Sequence, residues 1–237
     1  MFDNIHPALF EEFYNTFKTG EHNKVLSLLN KDASLLDDWK VLATVAEREA
    51  FVVALELETQ LVGLSFSQKI TKIVSAPISK NSKIRLFEKT IAGQPLEHGL
   101  ILDETGKVLV YKPGTANQLS YLEYANQCKG KTFSHNHPAN SSFSLEDIRL
   151  LDEAKNLGLS EVRAVTETEI YSLKRTGNFD SNSWFFTWDG LKQKYLQKYP
   201  QLLNANKMPV NELNIINNER FLESFSNFNV EFKIIKK

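Results

Sequence analysis

The segment of this chain richest in chemistry runs Ser134-His135-Asn136-His137-Pro138-Ala139-Asn140-Ser141-Ser142-Phe143-Ser144-Leu145-Glu146-Asp147, and it holds two of the five histidines. On a β-strand, residues i and i+2 project to one face, so His135 and His137 can offer both imidazoles to a single metal ion. Pro138 then ends the strand. Ser144 stands where the next helix should begin, and Asp147 follows in its first turn, where the carboxylate can face the mouth of the strand. The same Ser144/Asp147 pair also reads as an ordinary helix cap, and a cap does not exclude a ligand. Two neutral imidazoles and one carboxylate make an open three-ligand set, suited to a Zn²⁺ whose fourth position holds water. Such an ion brings the water's pKa towards ~7. Hydrolysis then needs a base, and three glutamates are candidates. Glu97, just before the apolar run Gly99-Leu100-Ile101-Leu102, is preferred over Glu104 in a turn and Glu123 on an amphipathic helix.

These residues have to be positioned by a mixed sheet. Gly99 to Leu102 and Val108 to Tyr111 flank a turn-rich Asp103 to Lys107, the pattern of a β-hairpin. The spacing predicts a helix over Leu119 to Gln127, a strand over Lys131 to Asn136, a helix from Ser144 to Asn156 stopped by Gly158, and strands over Val162 to Thr166 and Ile170 to Lys174. This order implies an α+β domain with helices packed on a mixed β-sheet. Trp184 to Tyr199 reads as one helix ending at Pro200, and Asn204 to Asn218 is polar and poorly patterned. Upstream, apolar residues recur at helical spacing in Leu9, Phe10, Phe13, Phe17, in Val25 to Leu29, and over Val41 to Leu64. Ser75 to Ser82, with Pro77, interrupts that period as a short linker. The expected division is therefore a helical region over residues 1–88 and a metal-binding domain over 89–237 with a helical tail. Trp184, Phe185, Phe186 and Trp188 in that tail either complete the core or form a partner platform, with the core favoured by their helical spacing.

Together, Glu97, His135, His137 with Pro138, Ser144 and Asp147 resemble the motif of the JAB/JAMM (MPN-type) zinc metalloprotease superfamily, which includes bacterial RadC-like and toxin-associated branches. The likeness covers roughly residues 90–175. The six residues from Pro138 to Phe143 are one fewer than in the commoner form of the motif, which points to a divergent branch. The resemblance implies a JAB/MPN-like mixed sheet flanked by helices over that span, and the mainly helical N-terminal extension rests on apolar spacing alone. It implies zinc on His135, His137 and Asp147, Glu97 as the proton shuttle, and Ser144 as an aid to the tetrahedral oxyanion. It further implies hydrolysis of a peptide or isopeptide bond in a protein or peptide substrate, ubiquitin-like proteins among the candidates. An inactive JAB-fold scaffold is the alternative, although such members usually lose the histidines or the aspartate. On this reading Glu97→Ala retains metal and loses turnover, and metal affinity declines below about pH 6 as the imidazoles protonate.

Other classes fit less well. The literal string His135-Asn136-His137 spells the name of the HNH nucleases, but in those enzymes the letters belong to separate parts of a metal finger. A zinc deaminase needs His-x-Glu and Pro-Cys-x-x-Cys ligands, and the single Cys128 cannot supply them. Lys plus Arg (28) nearly balance Asp plus Glu (29), so no global charge argues for nucleic acid. One cysteine removes any intrachain disulfide framework, and Cys128 reads as a small apolar helix residue. With no apolar run near the ~18 residues of a membrane span and an acidic start to the chain, a cytoplasmic protein is expected. His6, His22 and His98 have no partner at ligand spacing.

Overall fold

A computed structural model describes Leu57 and residues 60–115, 125–154 and 156–237 of the chain. The helical readings upstream of Leu57 and most of the one over Leu119 to Gln127 lie outside the described residues, Glu123 included, and the described end of the latter is the short helix α3 (Ala125–Cys128). The chain divides into two compact units, Met1–Thr90 and Ile91–Lys237.

In the first unit, α1 (Phe66–Ser75) opens on a reciprocal cap in which the Ser65 hydroxyl accepts from the Gln68 N–H and the Gln68 side-chain oxygen accepts from the Ser65 N–H. Ile70 and Ile73, one turn apart, are its buried positions. The expected linker around Pro77 is only the short connection to α2 (Lys80–Ile91). That helix continues through residue 88, so the division falls after Thr90.

The second unit is a mixed six-stranded sheet flanked by helices, with β1 (His98–Leu102), β2 (Val108–Pro113), β3 (Thr132–Asn136), β4 (Glu161–Val165), β5 (Glu169–Arg175) and β6 (Val230–Lys236) in the order β2-β1-β3-β4-β5-β6. Only β3 and β4 run parallel. Every residue of β1 and β3 is buried, as expected of central strands covered on both faces. One face is legible from the register: Ile101, Phe133, Val162, Leu173 and Phe232 stand side by side across five strands. The helices α5 (Ser181–Gly190) and α7 (Val210–Phe225) contribute Trp184, Phe221 and Phe225 to the same core. Trp184 is buried, stacks on Phe225 at 5.1 Å between ring centres, and donates its indole N–H to Ser224 Oγ at 3.0 Å. Burying the ring while satisfying its one polar group is the arrangement that lets a tryptophan enter a core. Phe185 and Trp188 pack against that core from its margin, whereas Phe186 is exposed.

Four elements depart from the sequence-based expectation. The helix expected over Ser144 to Asn156 is only α4 (Leu145–Arg149), after which the backbone tightens into three-residue hydrogen bonds from Leu150, Leu151 and Asp152. Just beyond the helix, the buried Asp152 carboxylate accepts from the Ser181 N–H and hydroxyl at the start of α5, tying this turn to the next layer. Gly158 therefore stands well beyond the helix end, in a turn at φ +62°, a left-handed conformation that suits glycine. The expected single helix over Trp184 to Tyr199 is two, α5 and α6 (Lys192–Lys198), which meet at Leu191. The tail is helical as expected, but the stretch Asn204 to Asn218, which lacks a clear pattern, holds the end of a 3₁₀ segment (Pro200–Lys207) and the start of the 16-residue α7. Three of the buried positions of α7 are the polar Asn214, Asn218 and Ser224, so its inward face carries a broken hydrophobic signal. Finally β6, unanticipated, pairs antiparallel with β5 as an edge strand whose last four residues are exposed.

Candidate metal centre

β3 carries His135 inside the sheet and releases His137 just past its end, where the His137 N–H still donates to Val165 O of β4 at 2.9 Å. Both residues therefore keep the strand's alternation and share the face that also holds Phe133. His135 lies flat on the Phe133 ring, 4.6 Å between centres. Its neighbours across the sheet are Gly99 on β1 and Ala164 on β4, so neither flanking strand crowds the imidazole.

Asp147 comes from the first turn of the helix that follows the strand. Ser144 is the N-cap of α4, its hydroxyl accepting from the Asp147 N–H at 3.1 Å. In return Asp147 Oδ2 accepts from the Ser144 N–H at 2.8 Å and from the Ser144 hydroxyl at 2.7 Å. The cap thus orients the carboxylate, and Asp147 Oδ1 lies 3.0 Å from His135 Nε2 while Oδ2 lies 3.3 Å from His137 Nε2. The two Nε2 atoms are themselves 2.8 Å apart. All three side chains are buried, and their ligand atoms lie within 4.8 Å of one another.

The tautomer of His137 follows from its other nitrogen. Nδ1 sits 3.0 Å from both Ser141 O and Ser142 O, and a carbonyl can only accept, so Nδ1 carries the proton. The Nε2 lone pair is then aimed at His135 and Asp147. Two imidazole nitrogens facing each other at this distance beside a carboxylate need a positive centre between them, a proton or a cation. The donor set fits a divalent ion of the zinc type in chemistry and number, and the backbone carbonyls on Nδ1 are the usual outer support for such a ligand. The buried His135, His137 and Asp147 group could bind a metal ion.

Electrostatics accord with a tightly coupled cluster. Burial resists charge on His137, but the hydrogen bond and charge of Asp147, the Ser141 carbonyl and the charge of Glu97 outweigh it and raise the imidazole to about 9. Burial likewise opposes ionisation of Asp147, yet the adjacent His135 and His137 hold its carboxyl well below the usual carboxylate range. Glu97 is half-buried and raised, first by loss of solvent and also by Asp147, against a lowering pull from His135 and His137.

Glu97 precedes β1 by one residue and is two residues from Gly99, the partner of His135, which places it on the histidine face of the sheet. Its N–H donates to Thr115 O and its carbonyl accepts from the Gly114 N–H, each at 2.8 Å. Glu104 does not join the cluster, because it is exposed in the β1–β2 turn and pairs with Lys131 at 2.9 Å. Asn136, the residue between the histidines, points to the other face. Its side chain accepts from the His98 N–H at 2.7 Å and donates to Leu96 O at 3.0 Å and Gln94 O at 3.3 Å. It therefore grips the peptide groups on both sides of Glu97, a role that the sequence signals only as a polar residue in a buried strand. His98 is engaged with Tyr111 at 3.0 Å, and Cys128 is buried in the core.

Comparison with protein-family models, with curated proteins and with solved structures found no match to this chain. Among the described residues, no helix is long and apolar enough to cross a membrane.

Proposed function

We propose that this chain is a zinc-dependent metallo(iso)peptidase of the JAB/JAMM type, acting on a peptide or isopeptide bond of a protein or peptide substrate. The convergence of His135, His137 and Asp147, with His137 Nδ1 committed to backbone carbonyls, is the observation that carries the reading. When bound, zinc would supply Lewis acidity, polarising a carbonyl oxygen and acidifying water. His135, His137 and Asp147 would hold it through Nε2, Nε2 and the carboxylate.

Glu97 takes a proton from the attacking water, whose oxygen bonds to the acyl carbon, and passes that proton to the departing amine nitrogen as the C–N bond breaks. The products are a carboxylic acid and an amine. A carboxyl raised by burial, as that of Glu97 is, is suited to hold a proton between the two transfers. Ser144 is exposed at the edge of the cluster, and its hydroxyl can turn towards the developing oxyanion while its N–H keeps Asp147 Oδ2.

Metal analysis of the purified protein beside His137→Ala tests this reading. Near one zinc per chain in the parent and little in the variant is the expected result, followed by screening of isopeptide and peptide substrates. A parent that takes up no metal after zinc is supplied at neutral pH would refute the enzyme and leave a scaffold.

A further inference from the structure

The two histidines are oriented by different means. His135 sits within β3 against Phe133, and its Nδ1 has no hydrogen-bond partner among the described residues. His137 instead takes its orientation from the Ser141 and Ser142 carbonyls, which belong to the loop 138–143 with no secondary structure of its own. That loop is held from outside. Asn214 of α7, itself buried, accepts from the Ser142 N–H through Oδ1 at 2.9 Å and donates through Nδ2 to Asn140 O at 2.7 Å. Asn140 stands at φ +57°, in the left-handed region that asparagine tolerates, and its Oδ1 accepts from the Glu167 N–H in the β4–β5 turn.

We propose that Asn214 is a positioning residue of the metal centre, through which the C-terminal helix sets the tautomer and aim of His137. The inference rests on the reading that His135, His137 and Asp147 hold a metal. A loop of this length has many conformations, and only those that bring both carbonyls to Nδ1 leave Nε2 as the ligand atom. Asn214 selects them by binding the N–H of one carbonyl-bearing residue and the C=O of the residue before the other. Its amide is used on both its donor and its acceptor side, so no purely apolar replacement reproduces the clamp. Removing outer support of a ligating histidine typically weakens metal binding by ~10- to 100-fold, and Asn214 acts one bond further out, so a loss of about tenfold is expected.

The experiment measures Zn²⁺ dissociation constants by competition with a chromophoric chelator for the parent, Asn214→Ala, Asn214→Asp and Ser224→Ala. Ser224 anchors the same helix to Trp184, away from the loop, so its loss loosens α7 without touching Asn140 or Ser142. Asn214→Ala should bind zinc about tenfold more weakly. Asn214→Asp keeps an acceptor for the Ser142 N–H and should lose less, and it carries the test if the alanine variant does not fold. Ser224→Ala should melt earlier yet bind zinc like the parent. Parent-like affinity in the Asn214 variants, or an equal loss in Ser224→Ala, overturns the positioning role while leaving the metal reading intact. A parent that binds no zinc removes both.

Discussion

Acidifying from pH 8 to pH 7 should weaken zinc binding about tenfold, because a proton on His137 competes with the ion for the same nitrogen. Burial disfavours that proton, but Asp147, the Ser141 carbonyl and Glu97 together outweigh burial and raise the imidazole to about 9. Asp147, held well below its usual range by the histidines, stays a carboxylate throughout and takes no part in the slope. Zinc binds the neutral imidazole, whose share is ~1% at pH 7 and ~10% at pH 8 for a pKa near 9. Affinity therefore climbs about tenfold per pH unit and levels off near pH 9. An ordinary histidine would place the decline below about pH 6, and the carboxylate partner moves that window upward. Stability of the metal-free protein has the opposite sign. A folded-state pKa above the unfolded value contributes stability that is complete below about pH 6.5 and is lost as the pH rises through about 9, some 3 kcal/mol in all. The metal-free melting temperature should thus fall over the interval in which zinc affinity rises. Chelator competition across pH gives the slope, and calorimetry in two buffers of different ionisation enthalpy counts the proton released per ion. No slope between pH 7 and 8, with no proton released, would refute the assigned coupling between His137 and Asp147.

Two substitutions separate binding from chemistry. Glu97→Ala should keep about one zinc per chain and lower hydrolysis by ~10²- to 10⁴-fold, the usual worth of a positioned proton shuttle. Undiminished turnover in the variant would eliminate Glu97 as the base. Ser144→Ala removes both the cap of α4 and the hydroxyl on Asp147 Oδ2, so thermal unfolding should report a loss of about 1 kcal/mol together with weaker zinc binding. Unchanged melting and unchanged affinity in that variant would show that the cap does not orient the ligand.

Much of the centre is local and therefore legible in the sequence. Strand alternation puts His135 and His137 on one face, and a serine three residues before an aspartate caps a helix and turns the carboxylate back to the strand. The hairpin β1–β2 and the strand-forming runs of β3 and β4 follow from the same short-range rules of apolar runs and turn residues, whereas the parallel pairing of β3 with β4 is set by the fold. Short-range rules fail where a polar residue serves a distant partner. Asp152, inside the stretch expected to be helical, bonds instead to the distant Ser181, and Asn214, Asn218 and Ser224 obscure the inward face of α7. Asn136 and Asn214 show the same effect at the site, since each is a buried amide whose hydrogen-bond partners lie well away along the chain. Types and spacing by themselves determined the three ligand candidates, their shared face and the α+β order of elements. Only the tertiary structure decided that Glu97 rather than Glu104 faces the histidines, that Asp147 raises His137, and that the tail supplies a clamp. Those outcomes depend on strand register and burial, which set distance and solvent access between residues that the sequence keeps far apart.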